Sequence, residues 1–134
     1  MMKLKQEKGG WHIEFTNARV QLIQIDFRLN FLISEDSDEA WAHIETAGKL
    51  KTGAFEVPFV PENTRSLAPF LDLFNIEVTS MRITQVGKLT FEFSNKQLLE
   101  VCADEAYEAW QVEGKVGKDS FMFVCAPGGE VVHF

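Results

Sequence analysis

The sequence predicts a mainly β domain, α+β in detail: an antiparallel, barrel-like sheet of two related β-meanders with one short helix. Three observations carry that expectation. Apolar and polar residues alternate with period two through most of the chain, helical spacing occurs in a single segment, and short glycine-bearing or polar turns separate the alternating runs. A length of 134 residues suits one domain with one core. Twelve of the sixteen aromatic residues are phenylalanine, bulky side chains that fill such a core.

Residues 1–10, "MMKLKQEKGG", read as a flexible N-terminal tail, and residues 11–134 as the single domain. The clearest alternation is "IQIDFRLNFLI", residues 23–33. Ile23, Ile25, Phe27, Leu29, Phe31 and Ile33 alternate with Gln24, Asp26, Arg28 and Asn30, and only Leu32 is out of phase. A run this long exceeds the usual strand of about 5–6 residues, so a tight turn is expected near Asp26 to Arg28. The following "SEDSDEA" places Glu35, Asp36, Asp38 and Glu39 within five positions. As a calcium loop it lacks the glycine and the distal glutamate in register. It reads as a solvated hairpin turn, or failing that an electrostatic docking patch.

The same grammar returns in "VTSMRITQVGKLTFEFSNKQLLEV", residues 78–101, with turns at Gly87-Lys88 and at "SNK". Laid on residues 20–44 with two small gaps, Val20 meets Val78 and Ile25 meets Ile83. Leu29, Phe31, Ile33 and Ser34 meet Leu89, Phe91, Phe93 and Ser94, and Trp41 and Ile44 meet Leu98 and Val101. An internal repeat over 19–46 and 77–103 is expected. Between the halves, "PENTRSLAPFLDLFN" predicts the helix, near residues 66–74. Ser66 suits the N-cap, Pro69 falls at the third helical position, and Leu67, Phe70, Leu71 and Phe74 follow helical spacing.

In the C-terminal part, residues 107–113 read as a strand with Tyr107, Ala109 and Gln111 on one face and Glu108, Trp110 and Val112 on the other. Trp110 then belongs in the core and Tyr107 at a rim. After a turn in "KVGKDS", the all-apolar "FMFVCA" looks buried on both faces. "PGG" is a turn before a last strand, "EVVHF".

The net charge of −7 is uneven: three lysines and one glutamate in residues 1–10 leave the other 124 residues at −9. An acidic body repels phosphate backbones, which argues against nucleic acid, and suits a basic partner. The start of the chain has no apolar run behind its lysines, as a signal peptide would, and no segment reaches the roughly 20 apolar residues of a membrane helix, so no membrane is expected. Cys102 and Cys125 lie in apolar runs, too far apart for a CxxC site. They read as reduced core residues of a cytoplasmic protein.

Catalytic chemistry finds little purchase. His12, His43 and His133 lack metal-ligand spacing, neither serines nor cysteines sit in a nucleophile elbow, and "GKLKTG" is not a phosphate loop. No catalytic residue, metal or cofactor is expected. Trp41, His43 and Glu45 do share one strand face and are the place for a pocket.

Tyr107, Glu108, Ala109 and Trp110, followed by Pro127, Gly128, Gly129 and Glu130, are similar to a family of uncharacterised bacterial proteins. The resemblance extends over roughly residues 17–134. It implies two halves in which strands flank a short glycine turn and end in an acidic, apolar strand. This chain lacks a glycine at its "SNK" and "SEDSDE" turns. The family has no assigned activity, and small bacterial proteins of this kind that sit beside toxin genes bring an immunity role to mind by analogy. The reading is therefore a non-enzymatic binding or regulatory protein, immunity-like, with an acidic surface for a basic protein partner. Its candidate binding residues are Tyr107, Glu108, Trp110 and Glu130, and exposed edge strands offer a route to a homodimer. The alternative is a small-molecule or enzymatic pocket around Trp41, His43 and Glu45.

Overall fold

Period-two alternation becomes strand throughout the computed structural model, which describes residues 2–134. The strands are β1 (Lys3–Glu7), β2 (Gly10–Ile25), β3 (Leu29–Glu35), β4 (Asp38–Ile44), β5 (Gly48–Thr52) and β6 (Phe55–Phe59). After the helix α1 (Ala68–Leu71) come β7 (Glu77–Thr84), β8 (Leu89–Phe93), β9 (Leu98–Val101), β10 (Trp110–Val116), β11 (Asp119–Cys125) and β12 (Val131–His133). They form one sheet in the order β12-β11-β10-β4-β3-β2-β7-β8-β9-β5-β6, with β1 paired to β2. Neighbours are antiparallel. The sheet does not close: β12 and β6 are its ends, so the barrel-like expectation stops at a curled, open sheet.

The order has an internal logic. Two meanders, β2-β3-β4 and β7-β8-β9, join through β2 and β7. Each is then extended by a hairpin from the other half, β10-β11 beside β4 and β5-β6 beside β9. Residues aligned in sequence occupy matching places in the ladders. Val20 pairs with Ile33 as Val78 pairs with Phe93, and Ile25 with Leu29 as Ile83 with Leu89. Leu29 faces Ile44 as Leu89 faces Val101.

The core lies on the concave side. Phe31 sits 5.1 Å from Phe70 and 5.0 Å from Phe91 between ring centroids, and Trp11 packs 5.1 Å from Phe123, which brings the start of β2 to β11. The expected turn lies between β2 and β3, where Asp26 Oδ1 accepts the Arg28 N–H at 2.7 Å. Leu32, the residue out of phase, faces outward between Leu22 and Trp41, as part of an apolar row on the convex face.

Several expectations need correction. Residues 3–7 are not a flexible tail; Gly9, at φ +87°, turns the chain so that β1 folds back on β2, and Met2 is buried (Met1 lies outside the described residues). The helix is shorter than 66–74: a 3₁₀ turn at Thr64–Leu67 runs into the single turn of α1. Three residues per turn put Leu67, Phe70 and Leu73 inside, whereas Leu71 and Phe74 are exposed. Ser66 is not an N-cap. Its hydroxyl accepts the Val60 N–H at 2.9 Å and faces the Val60 and Asn63 carbonyls, closing the loop before the helix.

The strand expected at 107–113 begins at Trp110. The run "FMFVCA" is buried on one face only, through Phe121, Phe123 and Cys125, and Cys102 is exposed beyond the end of β9. The "SEDSDEA" turn is not solvated throughout. Glu35 and Asp38 are buried, with Glu35 accepting the Thr16 N–H and Asp38 accepting the Met2 and Gly117 N–H groups.

On the convex face of β9, buried Glu100 lies 2.8 Å from Lys51 Nζ and 3.0 Å from Lys88 Nζ. The hydrogen bonds from Lys51 and then Lys88 hold its carboxyl below the usual range despite burial. A depressed folded-state pKa contributes stability above the unfolded-chain value, and that stability is lost as pH falls through the folded one. Glu100→Gln is expected to be less stable than wild type at pH 7 and to lose stability less steeply through the acid limb. Urea titrations at pH 7 and below pH 4 measure both.

Candidate functional site

Four loops meet at one end of the sheet, and each is fixed by backbone chemistry. The β2-β3 turn carries Phe27 at its apex, 90% exposed. The loop after β9 is held by Asp104, whose Oδ1 accepts the N–H groups of Ala106 at 2.8 Å and Tyr107 at 3.1 Å. This is the two-residue reach by which aspartate organises a turn. Those two bonds, in that order, with a further bond from the Thr46 hydroxyl, hold the Asp104 carboxyl below its ordinary range. The Glu45 N–H donates to Ala109 O at 2.9 Å, tying the β4-β5 loop to the same place, and the loop before the helix brings Val60 and Glu62.

Together these loops line a cleft of about 560 Å³ walled by Phe27, Val60 and Tyr107 and by Glu45, Glu62, Asp104 and Glu108. Four acidic residues line it and, among the described residues, no lysine or arginine does. Tyr107 is 74% exposed and Phe27 more so, which leaves two aromatic surfaces beside concentrated negative charge.

A second constellation occupies the convex face. Trp41 and His43, two apart on β4, stack with ring centroids 5.9 Å apart and planes 5° from parallel. Asn30 Nδ2 donates to Gln24 O and Asp26 Oδ1, which turns its Oδ1 toward His43 Nδ1 at 2.7 Å, so Nδ1 carries the hydrogen. The other ring nitrogen lies 3.3 Å from Glu113 Oε1. Beside them a groove of about 420 Å³ runs over Trp41, Glu113, Met122 and Phe134. His43 is thus set between Asn30 and Glu113 on the convex face.

The sequence-derived candidates thus divide. Tyr107, Glu108 and Glu45 come together in the cleft at the sheet's end. Glu45 follows the last residue of β4 and does not complete a pocket with Trp41 and His43. Trp110 is buried in the core, its indole N–H donating to Gly87 O at 2.9 Å, and does not line the cleft. Glu130 is exposed beyond the Pro127–Gly129 turn and does not line the cleft. Sequence reading missed Phe27, Val60, Glu62 and Asp104. The aspartate three residues before Tyr107 was a usable turn signal, and Phe27 was hidden because it continues the alternation of its neighbours. Among the described residues, no group of three or more His, Cys, Asp or Glu is arranged to hold a metal ion.

Comparison with curated proteins finds no match, and comparison with solved structures finds none. A family model does match, over residues 11–134, which takes in both meanders, both hairpins and every wall of the cleft. The chain belongs to DUF6188, a family of unknown function.

Proposed function

We propose that the protein is a non-enzymatic binding or regulatory protein that receives a basic segment of a protein partner in the cleft at the end of its sheet. The observation that carries this reading is the cleft lining: four acidic residues, two exposed aromatic rings and, among the described residues, no lysine or arginine. A lysine or arginine side chain entering it meets opposite charge on several sides and a ring face for cation–π contact. The surrounding acidic body adds long-range attraction, which speeds encounter more than it deepens the final complex. An immunity-like role is one biological form such a protein takes.

The test is affinity capture from native lysate with wild type and with the combined Glu45→Gln, Glu62→Gln and Glu108→Gln variant. Wild type is expected to recover a partner that the variant does not, and that is released toward about 1 M salt, where the screening length falls to ~3 Å. Equal capture by the variant, or capture indifferent to salt, overturns the reading. Tyr107→Ala and Phe27→Ala should each weaken the recovered complex by roughly tenfold if the rings are anchors.

A second reading, a small-molecule site on the convex face, is supported by the stacked Trp41 and His43 beside an open groove. A thermal-shift ligand screen in which His43→Ala responds like wild type would remove it. Pairing of two copies through edge strands has less in its favour, because Pro58 withdraws a donor from β6 and β12 has only three residues. We read the matched ladders of the two meanders as the product of an internal duplication.

A further inference from the structure

We propose that the convex-face groove beside Trp41 binds a small amine carried on a flat apolar ring, and that His43 competes with the amine for Glu113. The proposal rests on the small-molecule reading of that face and assigns the ligand class and its control.

The groove is built from two cross-strand rows. In the first, Trp41 on β4 stands beside Glu113 on β10, and Glu113 beside Met122 on β11. In the second, Glu39 stands beside Lys115, and Lys115 beside Ser120. Both rows alternate with buried residues of the concave side, so they share the convex face. Phe134, whose N–H donates to Met122 O at 2.9 Å, adds an exposed ring to the wall.

Trp41 and Glu39 line the groove and His43 does not, so the groove opens on the indole face turned away from the imidazole. A flat ring entering there extends the His43–Trp41 stack. At about 420 Å³ the groove lies near the lower end of the ~300–1,000 Å³ of small-molecule sites, which suits a ligand of one ring.

Charge selects the amine. Lys115 faces Glu39 across the ladder, so their charges offset each other. Glu113 is left as the groove's excess charge, and its only side-chain partner among the described residues is His43. That partnership is conditional. The Nδ1 hydrogen of His43 goes to Asn30 Oδ1 at 2.7 Å, because Asn30 Nδ2 donates to Gln24 O and Asp26 Oδ1. A neutral ring then turns Nε2 toward Glu113 Oε1 at 3.3 Å as a second acceptor, with no hydrogen between the two. Only a charged ring donates from both nitrogens and holds Glu113. With the ring neutral, the Glu113 side chain, 39% exposed, is open to a donor from the groove.

The other groups around His43 do not supply that hydrogen. Asp26 bonds Arg28 at 3.3 Å as well as Asn30, Glu45 lies in the cleft at the sheet's end, and Gln111, the ladder partner on β10, is uncharged. Histidine is the side chain that changes charge between about pH 5 and pH 8. Amine binding is therefore strongest at the upper end of that range and weakens as the ring takes a proton and draws Glu113 to itself.

The test uses phenethylamine, whose ammonium keeps its charge over that range, and its neutral counterpart phenethyl alcohol. Each is titrated at about pH 8 and about pH 5.5 and followed by amide NMR shifts. The full-length chain carries Glu45→Gln, Glu62→Gln and Glu108→Gln, so that the acidic cleft takes no part. Shifts are expected at residues 39–41, 113–115 and 120–122. The amine should bind roughly fivefold more tightly than the alcohol at the higher pH and lose that advantage at the lower one. Adding Glu113→Gln should make the two compounds bind alike at both. His43→Phe keeps a flat ring against Trp41 and cannot donate to Glu113, so with it the amine's advantage should persist at the lower pH. If His43→Phe does not fold, loss of the advantage should coincide with protonation of the His43 ring, read from its imidazole nitrogen shifts. Equal binding of amine and alcohol in this groove overturns the proposal and leaves the small-molecule reading standing. Absence of shifts there, or an amine advantage indifferent to pH or to Glu113, overturns it as well.

Discussion

Trp110→Ala is expected to destabilise the protein by about 3–5 kcal/mol, the range for large aromatic truncations in cores. Trp110 is fully buried, flanked in the ladder by Ile44 on β4 and Cys125 on β11. Its removal leaves a cavity at the junction between the first meander and the C-terminal hairpin. It also removes the indole N–H that donates to Gly87 O at 2.9 Å, leaving that carbonyl only the weak Cys125 thiol donor at 3.7 Å. Trp110→Phe separates the two effects, since it keeps most of the volume and loses the donor; it should cost about 1–3 kcal/mol. Tyr107→Ala, three residues away but on an exposed loop, should fall within about 0.5 kcal/mol of wild type. Urea titrations of the three variants decide the matter, and a near-neutral Trp110→Ala would contradict this account of the core.

The second large effect is expected at Gly129. The "PGG" turn holds Gly128 at φ +86° and Gly129 at φ +103°, both in a region that side chains disfavour. The two positions differ in what surrounds them. A Cβ on Gly128 meets nothing within 4 Å, so Gly128→Ala should cost only the left-handed strain, about 1–2 kcal/mol. A Cβ on Gly129 would lie 2.5 Å from Val86 O, backbone that can yield only if the β7-β8 turn moves. Gly129→Ala is therefore expected to cost ~3 kcal/mol or more, strain and displacement together. Thermal melts of the pair test the difference, and equal effects would mean that packing against Val86 contributes nothing.

How much of this was legible in the sequence varied with the range of the interaction involved. The meanders were readable because alternation is a local signal that the pleat converts directly into two faces. The core position of Trp110 followed from the same parity, although its strand starts at Trp110 itself. The order of strands was not readable, because nothing in β10 names β4 as its partner. The burial of Glu35 and Asp38 also escaped, since the N–H groups they accept come from Thr16, Met2 and Gly117, up to 79 positions away. The cleft was half visible. Glu45, Tyr107 and Glu108 were named separately, and only the meeting of four loops makes them neighbours of Phe27 and Glu62.

The crossed placement of the hairpins has a consequence for the chain as it is made. When the first sixty residues have emerged from a ribosome, β4 has no neighbour on its outer side and β5-β6 has no β9 to join; those partners come at residues 110–116 and 98–101. Neither half can complete its sheet alone, so assembly waits for nearly the whole chain. Such distant pairings are slow to form, in the range of milliseconds to seconds for β domains of high contact order. During that wait the N-terminal meander carries an open hydrophobic edge. The last hairpin therefore closes the edge that the first meander leaves open.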